Sequence, residues 1–350
     1  MNQQKVESRI NEAREFKTYY LDLSRMGLDE VPESIQSLEN LKFLDLRNNN
    51  IVEIPHFIFK MSQLSSIHLD NNKIQKLPNL CDSKIKFISL NNNCLKELPD
   101  FIGNFTCLYD LYLQNNYITQ LPNSLGSLRN LKNLKLNNNF LSSLPNSFSE
   151  LANLNSLTLD NNLFEKFPDS ITVCYNLSYL SISKNKLKLI PESIGGLAQL
   201  QTLNLSFNYL PHLPDAFSNL TNLQKLYLEN NNFKNIPNSI KYLANLQYLK
   251  LNNNKIKYLP DWNYSSLFPK LTSLDLSNNQ IINIPTKLID FFVTDKQFIE
   301  INLSQNCLIS LPKIPQNIKF AKKIIISKNL LPLSQKLSKS INYSAYLSVK

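Results

Sequence analysis

The stretch Leu131–Leu154, LKNLKLNNNFLSSLPNSFSELANL, is followed by its own pattern one period later, and that recurrence limits the chain to architectures built from stacked, similar units. Leu131, Leu134, Leu136, Asn139, Leu141, Leu144, Pro145, Phe148 and Leu151 mark out LxxLxLxxNxLxxLPxxFxxLxx, and the next unit opens 23 residues on at Leu154. Leu134 and Leu136 alternate with Asn133, Lys135 and Asn137, so a short strand sends leucines to one side and polar residues to the other. One such strand cannot bury its apolar side. A neighbouring unit pairs the backbones into a parallel sheet and merges the leucines into a continuous column. Asn139 stands where the chain leaves the strand, and its amide is suited to backbone groups left unpaired in its own and adjacent units. Leu144 and Pro145 turn the chain onto the outer side, Phe148 and Leu151 return to the core, and Pro145 cannot prolong a ladder. Short helical turns or extended segments are expected there.

Units begin at Thr18, Leu41, Leu64, Ile85, Leu108, Leu131, Leu154, Leu177, Leu200, Leu223, Leu246, Leu271, Phe298 and Ala321, about fourteen repeats with the last incomplete. The Asn139 position is Asn in every unit except the first, where Met26 replaces it, as an atypical terminal unit should. The unit from Leu64 has 21 residues, and those from Leu246 and Leu271 have 25 and 27. The long units carry Trp262, Tyr264, Phe268, Phe291 and Phe292 on the outer side, read as filling a widened core, with a second docking surface as the alternative.

Residues 1–17 place Val6, Ile10, Ala13 and Phe16 at near-helical spacing, which predicts an amphipathic helix capping the open end of the first repeat. Repeats then occupy 18–334, and 335–350, with Leu337, Ile341, Tyr343, Tyr346 and Leu347, reads as a C-terminal cap. The charged N-terminus has no apolar h-region and no run of 18 apolar residues occurs, so a cytoplasmic protein is expected. Five scattered cysteines, without a CxxC pair, favour free thiols in a reducing compartment.

The 23-residue unit with LPxxI in its outer half resembles the leucine-rich repeats of Ras-associated and scribble-like intracellular scaffolds and of bacterial leucine-rich repeat effectors. The resemblance covers residues 18 to about 334. It implies an α/β solenoid, a horseshoe with the parallel sheet on its concave face and short helical or extended segments on its convex face. It also implies recognition of a protein. Heavy Asn, Lys and Ile usage adds a pathogen effector aimed at a host protein, working in the host cytosol, to the readings.

Strand residues pointing away from the leucines form the expected interaction surface. Aromatic rings are frequent there: Tyr20, Phe43, Phe87, Tyr112, Tyr179, Tyr227 and Tyr248. Such rings serve as partner anchors or stack across strands on one another. Asp45, Arg47, Lys135, Glu229 and Lys250 complete the candidate set. Asp22, Asp45 and Asp70 on adjacent strands, with His68 and Arg47 among them, are expected to repel unless a cationic partner, Arg47 or a divalent ion relieves them. Tyr117, Phe140, Leu163 and Tyr209, with Lys186 between, follow successive ladder asparagines and form a second apolar stripe.

From Ile301 onward there are eight Lys and no Asp or Glu, out of a net charge of +10. This end supports an alternative, a peripheral membrane or acidic-partner adaptor acting through the basic C-terminus. The lysines are dispersed, Arg is absent there and no nucleic-acid motif occurs, so no nucleic acid is expected. His56, His68 and His212 fall in different repeats, five Gly leave little for a phosphate loop, and no P-loop, GxGxxG or HExxH occurs. The sequence therefore predicts a non-enzymatic scaffold with no cofactor and no metal, docking a protein on the concave face. A site built from Asp22, Asp45, Asp70 and His68 is the weakest alternative.

Overall fold

The computed structural model describes residues 2–78, 84–290, 300–311, 323–332 and 347–348. They form two compact units, Met1–Phe164 with Pro168–Leu177, and Glu165–Phe167 with Ser178–Lys350.

In the first unit each repeat contributes a three-residue strand: β1 (Tyr20–Asp22), β2 (Phe43–Asp45), β3 (Ser66–His68), β4 (Phe87–Ser89), β5 (Asp110–Tyr112), β6 (Asn133–Lys135) and β7 (Ser156–Thr158). Each pairs in parallel with the next, in register from Tyr20↔Phe43 through Lys135↔Thr158. The central residue of every strand, from Leu21 to Leu157, is buried, as are the leucines two residues on. The flanking residues of each strand consequently share the opposite, open face.

The second unit repeats this arrangement with β8 (Tyr179–Ser181), β9 (Thr202–Asn204), β10 (Lys225–Tyr227), β11 (Tyr248–Lys250), β12 (Ser273–Asp275), β13 (Glu300–Asn302), β14 (Lys323–Ile325) and β15 (Leu347–Ser348). All of these pair in parallel with their successors. Each unit is thus a solenoid of strand and outer turn. The predicted C-terminal cap lies outside the described residues, apart from β15. So do Phe291, Phe292 and most of the C-terminal lysines.

The ladder asparagine makes this stacking possible. Asn139 donates from Nδ2 to Leu113 O (2.9 Å) in the preceding repeat and to Leu136 O (3.1 Å) in its own, while Oδ1 accepts from Ile118 N (3.0 Å). One buried amide satisfies three backbone groups that would otherwise be orphaned, and the pattern recurs at Asn49, Asn72, Asn93, Asn116 and beyond. The residue just before it is left-handed in each repeat, with Asn138 at φ 57°, a region Asn enters with little penalty.

On the outer side, 3₁₀ turns such as Asn123–Ser127 and Asn146–Glu150 follow an extended proline. Pro122, at φ −72° and ψ 154°, sits where a missing N–H costs nothing. These turns pack so closely that a Cβ on Gly103 would lie 2.6 Å from Ser124 O.

Helix α1 (Asn2–Glu15) buries Val6, Ile10 and Ala13 at the end of the first repeat. Its Arg9 Nη1 donates to Asp22 O at 2.8 Å, and Ser34 Oγ donates to Glu7 Oε1 at 3.0 Å. Phe16 departs from the expected apolar face. The helix ends at Glu15, Lys17 turns left-handed at φ 49°, and Phe16 is left 71% exposed.

In the lengthened repeat from Leu246 the outer turn becomes α3 (Tyr264–Leu267), which follows the short α2 (Phe57–Lys60) in chain order. Tyr264 and Phe268 are buried, with Tyr264 Oη donating to Pro260 O at 3.0 Å. Tyr264 and Phe268 fill the widened core, with the half-buried Trp262 against them at 6.1 and 6.3 Å.

Candidate protein-recognition surface

On the open face of the first unit the rings form one ribbon. Tyr20 lies 5.1 Å from Phe43, Phe43 lies 4.6 Å from His68, His68 lies 4.5 Å from Phe87, and Phe87 meets Tyr112 edge-on at 5.2 Å. The Lys135 ammonium then caps the Tyr112 ring at 4.2 Å. Register explains the path. Tyr20, Phe43, Ser66, Phe87 and Asp110 occupy the first strand position, and Asp22, Asp45, His68, Ser89 and Tyr112 the third. Ser66 is too small to bridge the phenylalanines, so the imidazole two residues on leans across the gap, its Nε2 3.3 Å from Ser66 Oγ.

His68 is therefore part of the ribbon, a role that residue type and repeat position did not reveal. Burial pulls its pKa below the ordinary histidine value, with Arg47 reinforcing and the Asp45 and Asp70 carboxylates opposing. At neutral pH the ribbon is an uncharged surface. Burial also raises the Tyr112 and Tyr20 phenols, helped by neighbouring carboxylates, so both stay protonated. Tyr20 is 44% exposed, and Phe43, His68, Phe87 and Tyr112 are half-buried; Phe16 and Tyr19, just before β1, are exposed as well.

The expected column of repelling carboxylates does not form. Asp22 opposes Asp45, but Asp45 opposes His68, and Asp70 lies two residues beyond β3. Asp45 is 1% exposed, so it is not itself a surface contact. Its carboxylate takes a fork from Arg47, Nη2 to Oδ2 at 2.6 Å and Nε to Oδ1 at 3.0 Å. This holds the exposed Arg47 in place and raises its pKa further. Desolvation would lift the Asp22 pKa, but hydrogen bonds from Ser24, aided by Arg9 and Arg47, bring it below the usual value. Asp70 accepts from Asn91 N at 2.8 Å and from Ser89 Oγ. Among the described residues no group of three His, Cys, Asp or Glu is arranged to hold a metal ion.

The second unit presents Tyr179, Tyr227, Glu229, Tyr248 and Lys250 on its own open face. Tyr179 and Tyr248 are exposed, Tyr227 is half-buried, and Lys225 covers the Tyr248 ring at 5.4 Å. Lys250 Nζ lies 3.6 Å from Asp275 Oδ2. Burial raises the Glu229 pKa, and its buried Oε2 has no hydrogen-bond partner. This face is a mixed polar surface with separate tyrosines. Beside the sheet of the first unit, Tyr117 and Phe140 stack at 6.2 Å with planes 12° apart, and Leu163 continues the exposed stripe.

Family models described as leucine-rich repeat region, leucine rich repeat, and leucine rich repeats (2 copies) match residues 168–258, 106–164, and 20–82 with 244–290. No curated protein matches the chain. Among solved structures it is similar to a leucine-rich repeat protein of Leptospira interrogans, at 29% identity over 97% of this chain and 98% of that one, with a TM-score of 0.78. It is also similar to YopM, a leucine-rich effector protein from Yersinia pestis, at 25% identity over 100% and 93% of the two chains, with a TM-score of 0.70. An internalin of Listeria monocytogenes, 21% identical over 89% of each chain with a TM-score of 0.71, shares the fold. Seven plus eight strands in register, locked by ladder asparagines from the second repeat on, agree with these matches: the chain is a leucine-rich repeat protein.

Proposed function

We propose that the protein is a non-catalytic recognition scaffold that docks a protein partner on the open sheet face of its first unit. The observation that carries this reading is the unbroken ribbon Tyr20–Phe43–His68–Phe87–Tyr112. Rings stacked on one another need not leave edges open to solvent, yet these remain half-exposed on a rigid, hydrogen-bonded sheet. Large apolar area presented without ordering cost is the property that makes an interface anchor. Tyr179, Tyr227, Glu229, Tyr248 and Lys250 act as a secondary surface.

A role as a bacterial effector directed at a host protein, in the host cytosol, is supported by the similarity to the Yersinia pestis effector. The alternative of an adaptor acting through the basic C-terminus rests on lysines largely outside the described residues. The test is site-specific photocrosslinking. A benzophenone side chain at Phe87 should capture a discrete protein from eukaryotic lysate, whereas one at Tyr242 on the outer turn should not. Equal capture from both positions, or capture from Tyr242 alone, would move the docking surface off the ribbon.

A further inference from the structure

Anions and cations around the ribbon differ in exposure. Five carboxylates lie on or beside the open face of the first unit, all buried or half-buried, and all five accept hydrogen bonds from the face itself. Asp22 accepts from Ser24 N at 2.8 Å, Asp45 is forked by Arg47, Asp70 is bound by Asn91 and Ser89, Asp110 accepts from Asn133 Nδ2 at 2.5 Å, and Asp160 accepts from Asn137 Nδ2 at 3.2 Å. The cations are presented outward. Lys42, Lys86 and Lys132 each immediately precede a strand, are exposed, and form no ion pair with a described residue. Their carbonyls accept from Ser66, Asp110 and Ser156 N in the next repeat, which fixes all three at the same lip of the sheet. A partner lying along the ribbon therefore meets the protruding Lys42, Lys86 and Lys132 ammonium groups before the recessed, hydrogen-bonded carboxylates, while Arg47 is paired with Asp45.

We infer that the segment this face receives is an extended acidic peptide bearing aromatic or apolar side chains between its carboxylates. The inference rests on the docking reading above and adds the partner's chemistry to it. The lysines stand on alternate strands, so they recur about every 10 Å at the usual parallel strand spacing. A polyproline II segment turns once per three residues at about 3.1 Å each, so one of its faces recurs every ~9 Å. Carboxylates three residues apart therefore meet Lys42, Lys86 and Lys132 in turn while the intervening rings lie on the ribbon. Single-stranded nucleic acid is the competing anionic polymer. It needs free ring faces on which bases stack. Phe43, His68 and Phe87 already turn their faces to one another, at 4.5–4.6 Å and 28–33°, and offer only edges.

The test is fluorescence anisotropy of the full chain with a labelled peptide of four Glu-Pro-Tyr repeats. Binding is expected, weakened at least about tenfold when Gln replaces every Glu, and equally by Lys42→Ser with Lys86→Ser and Lys132→Ser. Those exposed positions leave folding intact, which the thermal transition verifies. Equal binding of the Gln peptide, or tighter binding of a Lys-Pro-Tyr peptide, overturns the acidic inference and leaves ribbon docking standing. Binding that survives both Tyr→Ser in the peptide and Phe43→Ser with Phe87→Ser in the protein sinks the docking reading as well. Ribbon-dependent binding of a twelve-nucleotide oligothymidylate tighter than the Glu peptide, or no binding of the Glu peptide at all, overturns the proposal.

Discussion

The imidazole of His68 stacks on Phe87 with centroids 4.5 Å apart and planes 28° from parallel, and on its other side lies 4.6 Å from Phe43. A polar residue thereby completes an apolar ribbon, at the strand where Ser66 leaves the first position short.

Because burial favours neutral His68, its proton is bound more weakly in the folded chain than in the unfolded one. Stability from this group is complete at pH values above the ordinary histidine value of 6.5 and is lost as pH falls through it toward the lowered folded value. The His68 Hε1 resonance should titrate below 6.5. His68→Phe should remove this part of the acid sensitivity; an unchanged pH dependence of the thermal midpoint in that variant would contradict the assignment.

Glu229 has the opposite sign. Burial raises its pKa, Asp275 adding to the effect and Lys250 opposing it, so the ionised form at neutral pH strains the folded state. That penalty is full above the raised pKa and disappears below the ordinary carboxylate range. Glu229→Gln is expected to raise the thermal midpoint at pH 7.5, with the gain shrinking toward pH 4. Destabilisation at pH 7.5 would instead assign the carboxylate a favourable partner.

Asn139→Ala removes one amide and orphans Leu113 O, Leu136 O and Ile118 N together. At about 1–3 kcal/mol for a buried unpaired group, partly relieved by relaxation, a loss of at least ~2 kcal/mol is expected in urea unfolding. A loss below half of that would mean the backbone groups find other partners.

Much of this was legible from the repeat. Leu134 and Leu136 dictate which side is core, Pro145 dictates a turn on the outer side, and the spacing of the ladder asparagines fixes which strands pair. What the pattern could not convey is geometry within the open face. The repeat spacing already aligns Asp45 with His68 rather than with Asp70, but it does not show that Arg47 forks Asp45 and that Asp45 lies under the surface. His68 reads as an isolated surface histidine until Ser66 is placed opposite Phe43 and Phe87. Phe16 keeps the helical spacing of Val6, Ile10 and Ala13, but the helix ends one residue before it.

Phe207 stands at a position that is asparagine in most repeats and has φ 54°, a region costly for a bulky side chain. Phe207→Asn should stabilise the protein by about 1 kcal/mol despite losing the Lys184 ammonium over the ring at 5.7 Å. Calorimetry checks this, and a loss of stability would show that the ring contributes more than the backbone strain it imposes.

The most direct test of the central claim compares affinities for the protein captured at Phe87. By calorimetry with purified components, Phe43→Ser with Phe87→Ser should weaken binding by at least about 2 kcal/mol. Tyr227→Ser with Tyr248→Ser should weaken it by less than about 1 kcal/mol, and both pairs should retain a cooperative thermal transition. Undiminished affinity in a folded Phe43→Ser/Phe87→Ser variant would contradict the account and leave the ribbon a structural feature of the sheet.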